Sequence, residues 1–138
     1  MSWDGYVANF IAKNCQDAAV IGYPEEKYVW AAHPGGRFAN ITTAEIDALM
    51  SKDRQSFFIN GVTLGNEKCS VIRDRLDVEN EWGMDLRTKS SDGGPTFNVS
   101  VCKSKKAIVV IKGKDGVHGG ALNTLAYETV EHLRKSNY

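Results

Sequence analysis

The stretch SSDGGPTFNVSVCKSKKAIVVIKGKDGVHGG, residues 90–120, decides the class of fold. It holds two β-rich runs, TFNVSV (96–101) and KAIVVIKG (106–113), joined by a short charged link. Turn signals bracket them, SSDGGP in front and GKDGVHGG behind. So short a link leaves no room for a crossover helix, so the runs pair antiparallel. Working outward, DAAVIGY (17–23), YVWAAH (28–33), SFFING (56–61), KCSVIRD (68–74) and GMDLRTKS (83–90) read as further strands. NGVTLGN (60–66) reads as another turn signal. Strands in close succession predict an antiparallel meander rather than βαβ units.

Helical periodicity is confined to the ends and one interruption. Trp3, Tyr6, Val7, Phe10 and Ile11 recur at steps of three and four behind Ser2, a fitting N-cap. Leu122, Leu125, Ala126, Val130 and Leu133 repeat the pattern near the other end, after Gly119-Gly120. Each helix is apolar on one stripe, so each is expected to lie on a sheet with its other face wet. Between them, Thr42 and Glu45 form a capping box, Ile41 and Ile46 a hydrophobic staple, and Leu49 and Met50 a buried stripe. The expected architecture is a single α+β domain over residues 1–138. It has a central antiparallel sheet, the N- and C-terminal helices side by side on one face, and shorter helices on the other.

The bulk properties exclude several classes. The 138 residues are 42% apolar and 25% charged, ordinary for a globular domain that closes its own core. Seventeen Lys and Arg balance 17 Asp and Glu. No global field therefore draws the chain to nucleic acid, and any charged partner must be met by a local patch. No apolar run has the length of a membrane span, and the start lacks a signal-peptide pattern. Cys15, Cys69 and Cys102 are odd in number and far apart, which reads as free thiols of a reducing cytosol. The N-I-T and N-V-S sequons at Asn40 and Asn98 then carry no sugar.

The aromatics at the ends pose the functional question. Trp3, Tyr6 and Tyr138 stand where chains usually fray. They are either tucked into the body of the domain or held out for a partner. By pattern alone Tyr6 and Trp30 fit core packing as well as ligand contact. Tyr138, beyond the last helical repeat, fits core packing less naturally.

SWDGY, CQDAAVIGY, VWAAHPGGRFANIT, KCSVIRD, MDLRTKS, PTFNVSV, GKDGVHGGALN and HLRKSNY, taken in this order, resemble the profilin family of animals from Trp3 to Tyr138. The resemblance implies the sheet-between-helices fold and three kinds of partner: monomeric actin, proline-rich proteins such as formins, and polyphosphoinositide lipids. It implies a cytoplasmic, cytoskeletal monomer without cofactor or enzymatic activity. It places polyproline contacts at Trp3, Tyr6, Trp30, His132 and Tyr138. It places actin contacts at Phe58, Lys68, Arg73, Glu81, Arg87, Lys89, Thr96, Asn98, Val117, His118, Gly120, Asn123, Tyr127 and Glu128. Phosphoinositide contacts fall at Arg87, with Lys89, Arg134 and Lys135 as supports.

The residues themselves are chemically consistent with this. Lys68, Arg73, Arg87 and Lys89 form a local basic group suited to an acidic partner. Asn123 and Tyr127, at i and i+4, stand off the apolar stripe on a polar face. Taken singly, each of these charges also fits a solvated strand face, and VHGG fits a simple turn before a helix. Two rival readings remain open. His118, Asp115 and Glu128 could serve as an acid–base group, although GKDGVHGG lacks the GK[ST] ending of a phosphate loop and does not fit GxGxxG. A peptide-binding scaffold without actin is the other. The stretches YPEEKY (23–28), DVENEWG (77–83) and CKSKKAIVVIKGK (102–114), with Trp82 and Lys112 inside them, are where the usual chemistry of the family is not assumed.

Overall fold

The computed structural model describes residues 2–90 and 92–138; Met1 and Ser91, the latter within the expected SSDGGP turn, lie outside the described residues. In chain order the elements are α1 (Trp3–Ala12), β1 (Cys15–Gly22), β2 (Val29–Ala32), a 3₁₀ turn (Arg37–Asn40), α2 (Thr43–Leu49), α3 (Ser56–Asn60), β3 (Val62–Leu64), β4 (Glu67–Arg75), β5 (Gly83–Thr88), β6 (Asn98–Lys103), β7 (Ala107–Gly113) and α4 (Gly119–Lys135). The strands form a seven-stranded sheet in the order β2-β1-β7-β6-β5-β4-β3, every pair antiparallel. The meander expected from the short links runs from β3 to β7, and β1 then pairs with β7.

That last pairing explains the sequence of β7. Flanked on both edges and covered on both faces, it is buried at every residue, which its unbroken apolar run allows. Its side chains alternate between two cores. Ile108 and Val110, with Ala19 and Ile21 of β1, join Phe38, Ile46, Leu49 and Phe57 under the short helical pieces. Val109 and Ile111, with Ala18 and Val20, meet Val7 and Phe10 of α1 and Leu122, Ala126, Val130 and Leu133 of α4. Full burial of a side chain such as Phe10 contributes about 2–3 kcal/mol.

Caps begin the helices where the residue types predict. The Ser2 hydroxyl accepts from the Gly5 N–H at 3.1 Å. Thr42 and Glu45 make both halves of a capping box. Three local expectations are corrected. SFFING is not a strand: Ser56–Asn60 form α3, with Phe57 buried and its neighbours Phe58 and Ile59 turned to solvent. Adjacent apolar residues without alternation suit one helical turn better than a half-buried strand. NGVTLGN contains β3, in which Val62 and Leu64 are buried and Thr63 is exposed. Only Gly65-Asn66, with φ of 58° and 69°, form the tight turn into β4. Gly119 and Gly120 do not precede α4 but form its first turn behind His118.

Buried charges organise the core under the 3₁₀ turn. Asp17, 2% exposed, accepts from the N–H groups of Ala18 (2.9 Å) and Phe38 (3.1 Å). A Cβ on Gly36 would run into that carboxylate, so the turn needs glycine there. The Arg54 guanidinium grips Asp74 through two hydrogen bonds of 2.7 and 2.9 Å and donates to the Leu49 carbonyl, tying the end of α2 to β4. Burial pushes the Asp74 carboxyl up, but Arg54 and the Leu76 N–H outweigh it and hold it below the usual aspartate value. The three cysteines are free and buried. Burial pushes Cys15 up to about 11 and Cys69 and Cys102 up to about 12, so at neutral pH they are protonated and poor nucleophiles.

Lys112, where the usual chemistry of the family is not assumed, is nearly buried. Its ammonium pairs with Glu67 at 2.7 Å, the two side chains only 9% and 17% exposed, and stands 5.5 Å from the centre of the Phe38 ring. Removing one member of such a pair leaves the other charge desolvated and alone. Glu67→Ala is expected to lower the unfolding free energy by about 3 kcal/mol in urea denaturation. The double variant Glu67→Leu with Lys112→Met is expected to match or exceed the original stability.

Candidate ligand-binding surfaces

The five expected aromatic positions come together on one surface. Trp3 and Tyr6 project from successive turns of α1, which packs on β1 and β2, and Trp30 rises from β2 beside them. The Trp3 ring centre lies 5.0 Å from Trp30, 5.8 Å from Tyr6 and 5.4 Å from Tyr138, the last in edge-on contact. His132 of α4 stands 6.4 Å from Tyr6. Trp3, Tyr6 and Trp30 are half-buried, their inner edges packed on the core beneath α1 and α4. His132 and Tyr138 are exposed, Tyr138 by 44%. The rings therefore rest on the core without being sealed in it. Tyr6 and Trp30 thus pack on the core along one edge and leave the other edge open to solvent.

The end of the chain is tied down. The Tyr138 N–H donates to the Leu133 carbonyl at 2.8 Å. Its carbonyl accepts from the Ser104 hydroxyl at 2.6 Å and from the Lys106 N–H at 2.5 Å. The Lys106 ammonium sits 5.5 Å from the centre of its ring. Ser104 is itself fully buried between β6 and β7. Nothing in the period of α4 signals this anchoring, because it comes from a loop distant in sequence.

A second surface lies on the same side of the sheet. α4 covers β6, β7 and part of β5, while α1 covers β1 and β2. The outer face of β4 and much of β5 is left open, and it carries exposed Lys68, Arg73 and Arg87. Arg87 is held by Thr96 Oγ1 at 2.8 Å and Asn98 Oδ1 at 3.0 Å. Asn98 in turn donates to the Val117 carbonyl at 2.9 Å. These residues and His118 line one depression of about 250 Å³. Arg73, Glu81, Asn123 and Tyr127 line another of about 170 Å³. Asp85 joins the two sides of this second depression, accepting from Arg73 Nε at 3.1 Å and Asn123 Nδ2 at 3.0 Å. Lys89 bonds through its N–H to the Lys68 carbonyl, and its ammonium lies beside Gly61, just past the helix that carries Phe58. Gly120 is exposed on the first turn of α4.

Other positions fall differently. Asn123 and Tyr127 are half-buried, so the expected polar face of α4 is wet only in part. Glu128 lines a groove between α1 and α4 with Tyr6 and His132, away from both depressions. The rival acid–base group is thereby split: Asp115 and His118 share the first depression, and Glu128 does not. Arg134 lies flat on Trp82, 3.8 Å from the ring centre, and donates to the Lys103 carbonyl at 2.8 Å. Lys135 is 76% exposed and pairs loosely with Glu131.

Sequence reasoning missed two exposed apolar residues, Ile72 on the second surface at 61% and Ile59 on α3 at 83%. Ile59 adjoins Phe58 on α3. Ile72 is turned outward by a bulge between Val71 and Arg73, which a period of two cannot announce.

This geometry has close counterparts among known proteins. The family described as Profilin matches residues 1–138. Human Profilin-1 is 55% identical over 137 residues, covering 99% of this chain and 98% of that protein. The structure of mouse profilin IIa in complex with a double repeat from the FH1 domain of mDia1 superposes with a TM-score of 0.97, at 50% identity and full coverage of both chains. LokiProfilin1, solved in complex with rabbit actin, is only 12% identical, and its TM-score of 0.70 over 98% of this chain and 97% of its own shows the shared fold alone.

Proposed function

The chain belongs to the profilin family, and from that premise we propose that it binds monomeric actin through the open sheet face and proline-rich segments through the aromatic platform, and so regulates actin polymerisation. The observation that carries this reading is the convergence of Trp3, Tyr6, Trp30 and Tyr138 into ring contacts, with His132 beside them. A polyproline II helix has no internal hydrogen bonds, so its carbonyls are free to accept from an indole N–H, a phenol or an imidazole. Its pyrrolidine rings lie flat on aromatic faces, and its stiffness reduces the entropy lost on docking. The FH1 repeat held by mouse profilin IIa, a relative at 50% identity, supports a formin segment as the ligand here.

On the sheet face, exposed Ile72 supplies apolar contact, extended by Phe58 on the helix that ends beside Lys89, while Lys68, Arg73, Arg87 and Lys89 supply a positive rim for an acidic surface of actin. Binding there leaves the platform free, so one molecule holds actin and a proline-rich assembly factor together and raises the local actin concentration at fast-growing filament ends. Preference for an actin conformer with a more open nucleotide cleft shifts the monomer toward exchange. The chemistry belongs to actin, and this chain contributes binding energy as a cytoplasmic, cytoskeletal monomer without a cofactor. Polyphosphoinositide headgroups meet the same cations, chiefly Arg87 and Lys89. Arg134 is engaged with Trp82, which leaves Lys135 the freer of the two supports on α4.

In titrations with proline decamer, Trp3→Ala and Tyr138→Ala are each expected to lose about 1–3 kcal/mol of affinity and to keep actin binding. Unchanged affinity in both variants removes the platform as the site. Arg73→Glu is expected to abolish co-elution with monomeric actin in gel filtration while proline binding survives. A folded Arg73→Glu protein that loses both activities shows that the surfaces are not separate. Vesicles containing phosphatidylinositol bisphosphate are expected to displace actin, and simultaneous saturation by both refutes the shared use of Arg87.

A further inference from the structure

A cavity of about 490 Å³ adjoins the aromatic platform and shares two of its rings, Trp30 and Tyr138. The rest of its lining comes from two stretches far apart in sequence. YPEEKY supplies Tyr23, Pro24 and two glutamates, Glu25 and Glu26, and CKSKKAIVVIKGK supplies Lys105 and Lys106. The Tyr23 hydroxyl donates to the Ser104 carbonyl, so the two stretches are fastened to each other. Burial pushes the Tyr23 phenol up, which keeps it the donor.

The charges around this cavity are not evenly satisfied. Glu25 and Glu26 are exposed, and among the described residues neither side chain has an ionic or hydrogen-bonding partner. Lys106 is already seated over the Tyr138 ring, 5.5 Å from its centre. Among the described residues, Lys105 is the cavity's unengaged ammonium, beside two unengaged carboxylates. The floor between them is made of the Tyr23, Trp30 and Tyr138 rings.

We propose that this cavity is a subsite for an arginine that the proline-rich ligand carries immediately outside its proline run. The proposal rests on the platform being the polyproline site. A guanidinium is planar enough to stack on Tyr23 or Trp30, and its fork of donors matches the two carboxylates, which a lysine or a neutral side chain cannot do at once. The polyproline II ligand is stiff and rises about 3.1 Å per residue. A run lying across Trp3 and Tyr138 therefore delivers its next residue along a fixed line into the adjoining cavity. The platform selects for proline, and the cavity selects among proline-rich segments by the residue that flanks the run.

The test uses acetylated, amidated octaproline, unextended or extended at either end by Arg, Glu or Ala, titrated against the intrinsic tryptophan fluorescence of the full chain. Arginine at one end is expected to bind roughly fivefold tighter than alanine at that end. In the Glu25→Gln, Glu26→Gln double variant this preference disappears while the affinity for unextended octaproline stays the same. Equal affinity for Arg and Ala at both ends, a preference for Glu, or an arginine preference that survives the double substitution overturns the proposal. Failure of unextended octaproline to bind overturns the platform reading itself, and is read separately from the others.

Discussion

The pairing of β1 with β7 is the constraint on which the remaining arrangement depends. Every other strand pair joins neighbours in sequence, and this one joins the first strand to the last. The Gln16 side chain reaches the Gly113 carbonyl at 2.7 Å across a separation of 97 residues. Closing so long a loop is entropically unfavourable, and the buried apolar side chains of β1 and β7 offset it. With the two strands joined, α1 just before β1 and α4 just after β7 are brought onto adjacent strands, and both pack on the same side of the sheet. The aromatic platform is a consequence of that topology. Residues from the two ends and from β2 can then touch only because the intervening chain runs out along the meander and returns.

Much of this was legible in the residues because the signals were local. Alternation marked most of the strands, and steps of three and four marked both terminal helices. Thr42 and Glu45 located the start of α2 because a capping box is written in nearby positions. The misreadings have a common physical origin. Phe57, Phe58 and Ile59 look like a strand until one knows that only Phe57 has a core to enter. Val62 and Leu64 were hidden inside a turn signal because three residues are too few for a period to declare itself. The platform positions came from likeness to relatives, and geometry then brought them together. The anchoring of Tyr138 by Ser104 and Lys106, and the pairing of Lys112 with Glu67, join residues far apart in sequence and could not be read from either partner alone.

α4 is the element common to both surfaces. Its first half presents Asn123, bonded to Asp85, toward the open sheet face, and its last turn presents His132 beside Tyr6. Seventeen residues of helix are about 25 Å long, so both surfaces are referred to one rigid strut. The far end of that strut is clipped to the turn between β4 and β5, where Arg134 stacks on Trp82, and to the end of β6 through the Lys103 carbonyl. Trp82 itself adopts a positive φ of 49°, a backbone conformation that a bulky residue rarely takes without such support.

The contact of Trp3 with Tyr138 in the platform has a practical side. Because Trp3 and Tyr138 touch, a label on a side chain next to either one crowds the rings. Attachment points that leave the rings unobstructed lie elsewhere. The exposed turn around Glu79, at the far end of the meander hairpin, is one, and the glycine-bearing turn at Asp92–Gly93 is another.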